Sequence, residues 1–107
     1  MRQNDTTIFR GFLGSLQASH RDRLISAARR RMLGRGETLY TAGEDAQHLH
    51  LLSRGVIALS DGGERRAGDL VGEAAFLSGT PHRQAAVATR DCELLELDRD
   101  AYRSLLE

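Results

Sequence analysis

Apolar positions along the chain follow helical spacing at both ends and short-strand spacing between them. Ile8, Phe9, Phe12, Leu13 and Leu16 recur as on one face of a helix, and Gly11 and Gly14 inside the stretch predict that this helix is weak. Ser19 with Asp22 three residues on reads as a helix start. Leu24, Ile25, Ala28 and Met32 then supply the buried stripe of a helix over residues 20–30. Arg29-Arg30-Arg31 falls at its C-terminal end, where positive charge complements the helix dipole, and reads as a solvated helix end.

From Gly34 to Leu97 the period changes. Turn signals recur at Gly34-Arg35-Gly36, Ala42-Gly43-Glu44, Ser53-Arg54-Gly55, Asp61-Gly62-Gly63, Ala67-Gly68-Asp69 and Ser78-Gly79-Thr80-Pro81. Between them lie short apolar runs: Thr38–Tyr40, Leu49–Leu52, Val56–Leu59, Leu70-Val71, Ala85–Ala88 and Cys92–Leu97. Short strands at this spacing predict a mainly β fold with flanking helices, an antiparallel β jelly-roll (double-stranded β-helix) barrel. Asp98 or Asp100 can cap a last helix carrying Ala101, Tyr102, Leu105 and Leu106 on one side. The expected organisation is one domain over residues 1–107, with a helical part over 1–33, the β-roll over 34–97 and the start of a C-terminal helix over 98–107. The sequence stops one or two turns into that helix, which is expected of a segment of a longer protein.

Composition narrows the partners. The 107 residues hold 15 Arg, no Lys and 15 Asp plus Glu, for a formal net charge of zero. A zero balance argues against a nucleic-acid-binding surface, which needs a basic face. No apolar run is long enough to span a membrane, and the polar start, Met1 to Thr7, lacks the apolar core of a signal peptide. The single Cys92 excludes an internal disulfide and suits a reducing, cytoplasmic setting. It reads as a small buried hydrophobe.

The chemistry concentrates in residues 72–85. Gly72-Glu73-Ala74-Ala75-Phe76-Leu77 follows a strand-like run, and Arg83 comes ten residues after Glu73. Gly72 lets backbone approach a ligand closely. A short helix starting at Glu73 presents free backbone N–H groups, which Ala74 and Ala75 leave uncovered. Arg83 offers a permanently charged planar fork for a phosphate, and Glu73 offers acceptors for sugar hydroxyls. A phosphate fused to a ribose satisfies all three. Without a ligand, Glu73 and Arg83 would read as a structural ion pair across the loop.

At these residues the sequence resembles the cyclic nucleotide-binding domain family, the module of catabolite activator-type regulators, of the regulatory subunits of cyclic AMP-dependent kinase and of cyclic nucleotide-gated channels. Gly72–Leu77 through Arg83-Gln84-Ala85-Ala86-Val87 resembles its phosphate-binding cassette. Arg35–Tyr40 with Ala42-Gly43-Glu44 resembles its first hairpin, Leu49–Leu59 its strand pair around a glycine, and Asp91–Leu97 with the capped helix the end of its roll. The likeness covers residues 9–107. It implies a cyclic nucleotide ligand, cyclic AMP before cyclic GMP, with no cofactor and no catalysis, and a regulatory role relayed to an output domain or protein outside this chain. By position, Glu73 would accept from the ribose 2′-hydroxyl and Arg83 would pair the cyclic phosphate. Backbone N–H groups of Ala74, Ala75 and Ala85 would line phosphate and sugar, Gly72 would allow the close approach, and Val71 and Leu59 would neighbour the base.

Three features depart from the family pattern. Gln84 stands where a small residue or a Ser or Thr is usual, and bears on base preference. The connection Asp61–Gly68 is short. The sequence ends before the long helix that closes over the base in many relatives, and with no helix-turn-helix following, this chain is not expected to contact DNA. Two other functions use the same residues: a degenerate roll that binds no nucleotide and docks a partner, and a small metal-dependent cupin-type enzyme built on His48-x-His50. The second lacks a downstream acid and a second histidine motif, so no metal is expected. His50 takes the family's aromatic strand position, His48 a solvated one, and His82 an exposed loop position.

Overall fold

A computed structural model describes residues 18–105, and the turn glycines divide these described residues into eight strands and three helices. Helix α1 (Ala18–Ala27) leads into β1 (Arg29–Leu33), β2 (Thr38–Tyr40), β3 (His48–Arg54), β4 (Val56–Leu59), β5 (Glu64–Arg66) and β6 (Leu70–Val71). Helix α2 (Glu73–Ser78), β7 (Ala86–Ala88), β8 (Cys92–Asp98) and α3 (Arg99–Leu105) complete the order. All pairings are antiparallel, in two four-stranded sheets ordered β1-β8-β3-β6 and β2-β7-β4-β5. The expected β-roll is therefore present, as two facing sheets. Among the described residues no helix is long and apolar enough to cross a membrane.

Two cores hold these layers. Between the sheets, Leu33, Leu52, Ile57, Val71, Ala86 and Leu94 pack together, and Leu52, Ile57, Val71 and Leu94 expose no surface. On the other face of the first sheet, Leu49, Leu51 and Leu97 pack against Leu24 of α1, Phe76 of α2 and Leu105 of α3. Burying one such side chain contributes about 1.5–3 kcal/mol. The first sheet is thus covered on both faces, which is why β3 runs Leu49-His50-Leu51-Leu52 buried without alternation.

The arginine triplet departs from expectation. Helix α1 ends at Ala27, and Arg29–Leu33 form the edge strand β1 against β8. Opposite charges across the pair explain the choice. Arg30 Nε lies 2.8 Å from Glu93 and Arg31 Nη1 lies 3.0 Å from Glu96, while Leu33 faces Cys92 and joins the core. The roll therefore begins at Arg29 and not at Gly34. Ser19 lies inside α1 and not at its cap, and Met32 is exposed on β1 instead of buried on a helix. Asp98 caps α3, accepting from the Ala101 N–H at 2.8 Å. The helix expected over residues 8–16 lies outside the described residues. Cys92 is 1 % exposed, and burial pushes its thiol above the usual range.

Candidate functional site

A tight turn at Gly72 creates the site's floor. Gly72 adopts φ 75° and ψ 19°, the left-handed conformation that side-chain-bearing residues disfavour, and turns the chain from β6 into α2 within one residue. The first N–H acceptor of the new helix is the Gly72 carbonyl, bonded by Phe76 at 3.2 Å. The amides of Glu73, Ala74 and Ala75 precede that bond and have no helical acceptor.

The segment carrying Arg83 is fastened on both sides. Upstream, Asp45 and Pro81 form a bridge, the Gly43 N–H donates to the His82 carbonyl at 2.8 Å, and the His82 N–H donates to the Glu44 carbonyl at 2.9 Å. Downstream, the Ala85 N–H donates to Ser60 Oγ at 3.0 Å and the Ser60 N–H to the Ala85 carbonyl at 3.0 Å. Between these anchors Arg83 and Gln84 stand at the rim of a cavity of about 430 Å³.

Seven of the nine expected site residues line this cavity: Leu59, Gly72, Glu73, Ala74, Ala75, Arg83 and Gln84. The other two do not. Val71 exposes no surface, sits in the inter-sheet core and does not line the cavity. Ala85 does not line the cavity either, and its N–H donates to Ser60 Oγ. Among the described residues neither Glu73 nor Arg83 enters an ion pair or a side-chain hydrogen bond. The structural pair across the loop is therefore not formed, and the carboxylate and the guanidinium both remain available to the cavity.

Sequence reasoning missed Tyr40, Arg65 and His82, which also line the cavity. His82 is 6 % exposed, contrary to the exposed loop position expected for it. Its ring stacks on Tyr40, which supplies the apolar surface that its loop neighbours lack. Burial lowers the pKa of His82, against an opposing pull from Glu44. Burial raises that of Tyr40, with Arg65 opposing and Glu73 reinforcing. Local sequence carried no signal for either: β5 is Glu64-Arg65-Arg66, charged throughout, and β2 buries Leu39 and Tyr40 side by side.

Behind the Tyr40–His82 stack lies a second cavity of about 380 Å³, bounded also by Arg31, His48 and His50. His50 Nε2 lies 2.9 Å from Glu96 Oε2, the oxygen that Arg31 also holds at 3.0 Å. Burial lowers the His50 pKa despite this partner. On Glu96 burial acts upward, and the hydrogen bonds from His50 and Arg31 outweigh it, leaving the carboxyl below its usual range. The rings of His48 and His50 are 6.0 Å apart, and no group of three or more His, Cys, Asp or Glu among the described residues is placed to hold a metal ion.

Comparison with known proteins agrees with this geometry. Residues 30–107 match the family model described as the cyclic nucleotide-binding domain. The chain is 28 % identical over 98 residues to a cAMP-dependent protein kinase regulatory subunit of Hypocrea atroviridis, covering 88 % of this chain and 21 % of that protein. It is 32 % identical over 94 residues to the cyclic AMP receptor protein of Thermus thermophilus, covering 79 % of this chain and 44 % of the relative. The crystal structure of the Thermus thermophilus catabolite activator protein superposes with a TM-score of 0.76 at 30 % identity, over 92 % of this chain and 49 % of that one. The chain thus spans less than half the length of each of these relatives.

Proposed function

Since the chain belongs to the cyclic nucleotide-binding domain family, we propose that it binds a cyclic purine nucleotide in the cavity between Gly72–Ala75 and Arg83-Gln84 and acts as a regulatory sensor, not as an enzyme. The observation that carries this reading is the shared opening of the Glu73 carboxylate and the Arg83 guanidinium, neither committed to a protein partner, onto one cavity floored by the left-handed Gly72 turn. Glu73 accepts from the ribose hydroxyl. Arg83 pairs the cyclic phosphate through its planar fork. The uncovered amides of Ala74 and Ala75 add donors around the same anion.

The names of the two curated relatives support cyclic AMP as one ligand, the nucleotide also expected from the sequence. The signal passes through α3, because Arg99 at its start grips the Phe76 carbonyl of α2 at 2.9 Å. It reaches an output domain or protein beyond these residues, in a cytoplasmic setting.

Isothermal titration of the chain with cyclic AMP and cyclic GMP tests the proposal, with Arg83→Ala as control. Micromolar or tighter binding is expected. Removing Arg83 leaves a phosphate unpaired, a cost of about 2–5 kcal/mol or roughly 30- to several-thousand-fold in affinity. Equal binding by the variant would overturn the site.

A further inference from the structure

Arg65 has no counterpart in the chemistry described so far, yet it faces the interior. On the edge strand β5 it stands directly opposite Ile57 of β4, a residue with no exposed surface inside the roll. Directly opposed residues of an antiparallel pair share a face, so Arg65 points inward. The short connection forces this placement. The Leu59 N–H bonds the Gly63 carbonyl at 2.8 Å and the Gly62 N–H bonds the Leu59 carbonyl at 2.9 Å. The chain therefore reverses at once, and Arg65 joins Leu59 and Gln84 on one stretch of the cavity wall.

Both polar side chains on that stretch carry N–H donors without a carboxylate partner among the described residues. Arg65 Nη1 donates to the Glu64 carbonyl at 3.0 Å, which steadies the guanidinium without a carboxylate partner among the described residues. Gln84 Oε1 accepts from the Asp61 N–H at 3.3 Å, and its amide NH₂ has no protein acceptor among the described residues. A guanidinium has donors only. The wall therefore presents donors from both residues.

We propose that Arg65, assisted by Gln84, reads the purine base, and that this chain prefers cyclic GMP to cyclic AMP. Guanine offers O6 and N7, two adjacent acceptors that match an arginine fork, whereas adenine replaces O6 with the N6 amino donor. Against adenine, a donor meets a donor and stays unpaired. The inference rests on the cyclic-nucleotide reading above, and it assigns selectivity to groups distinct from Glu73 and Arg83, which meet the sugar and phosphate common to both ligands.

Competition titration of cyclic GMP against cyclic AMP on the whole chain, with Arg65→Ala, Arg65→Lys and Arg83→Ala, separates the two claims. The wild type is expected to favour cyclic GMP by about 5- to 150-fold, the range of one bidentate arginine–guanine contact. Arg65→Ala is expected to collapse the ratio, and Arg65→Lys to lower it too, because a lysine keeps the charge and loses the fork. Tighter or equal binding of cyclic AMP by the wild type, with the Arg83 dependence intact, would overturn the role of Arg65 and leave the sensor standing. So would an equal loss of both ligands in Arg65→Ala, which would make Arg65 a general counter-charge. Failure of the wild type to bind either nucleotide would overturn both proposals.

Discussion

The ring of His82 lies flat against the ring of Tyr40, with centroids 3.5 Å apart and planes 6° from parallel. The pair joins the Arg83 segment to β2 and forms the partition between the cavity at Glu73 and Arg83 and the polar cavity behind it. A Cβ built on Gly72 would lie 2.7 Å from His82 Cε1 and 3.0 Å from the Tyr40 hydroxyl oxygen, so the stack also supports the turn that starts α2.

Breaking the stack should loosen the cassette. An aromatic pair contributes about 0.5–1.5 kcal/mol beyond the area it buries. His82→Ala is expected to lose at least that much stability in urea melts, and nucleotide affinity up to about tenfold if the loss falls on the bound state. His82→Phe, which keeps the flat ring, should retain both. An alanine variant that binds as the wild type does would show that the partition is not needed to hold Arg83.

Gly72 and Gly55 should respond differently to alanine. At Gly72 the obstacle is side-chain atoms, together with a positive φ that costs about 1–2 kcal/mol for an L-residue. At Gly55, with φ 104°, a Cβ would meet the Asp91 carbonyl oxygen at 2.5 Å and Cys92 Cα at 2.8 Å, atoms that move only with the backbone of β8. Gly72→Ala is expected to fold with weakened ligand binding. Gly55→Ala is expected to lose about 3 kcal/mol or more, from strain and overpacking together. Thermal melts of the two variants check the order, and a milder loss at Gly55 would contradict it.

Arg99 ties the last helix to the cassette. Its Nη2 donates to the Ala46 carbonyl at 3.1 Å and to the Phe76 carbonyl at 2.9 Å, and its guanidinium carbon sits 4.2 Å over the Phe76 ring. Hydrogen bonds from a charged donor contribute about 1.5–3 kcal/mol, so Arg99→Ala should lose a stability of that order. If the contact relays ligand binding, hydrogen exchange in α3 should slow on nucleotide addition in the wild type and stay unchanged in Arg99→Ala. Equal protection in both would place the relay elsewhere.

The legible parts of this chain were those in which each residue's role is set by its near neighbours. Turn glycines and apolar pairs such as Val56-Ile57 and Leu70-Val71 gave the strands, and the spacing of Gly72, Glu73 and Arg83 gave most of the cavity. What the sequence hid depends on partners far along the chain. The charges of Arg30 and Arg31 look like a helix end until Glu93 and Glu96 of β8 are placed beside them. Arg65 looks solvated until its pairing with Ile57 turns it inward. His82 looks like loop until Tyr40 arrives to cover it. Val71 and Ala85 differ in the opposite sense: neither lines the cavity, because Val71 takes a core position and the Ala85 N–H donates to a serine hydroxyl, partners that local sequence does not show.

Acid should destabilise this fold from just below neutral pH. His50 and His82 are both held below the ordinary histidine pKa, by burial first. As pH falls through about 6.5, the unfolded chain takes up a proton on each while the folded chain does not, so the unfolded state binds more protons and stability drops with falling pH. Each histidine contributes a slope of at most about 1.4 kcal/mol per pH unit, ending where the folded residue itself protonates. Glu96 acts lower down. Its carboxyl is depressed, so the stability it supplies is present above the ordinary glutamate pKa and is lost as pH falls through its folded value. Urea melts between pH 8 and 5 are expected to show falling midpoints. His50→Gln, which can still donate to Glu96 but does not titrate, and His82→Phe should each flatten the upper part of the profile. A wild-type midpoint constant from pH 8 to 5 would mean that neither histidine stays neutral in the folded protein.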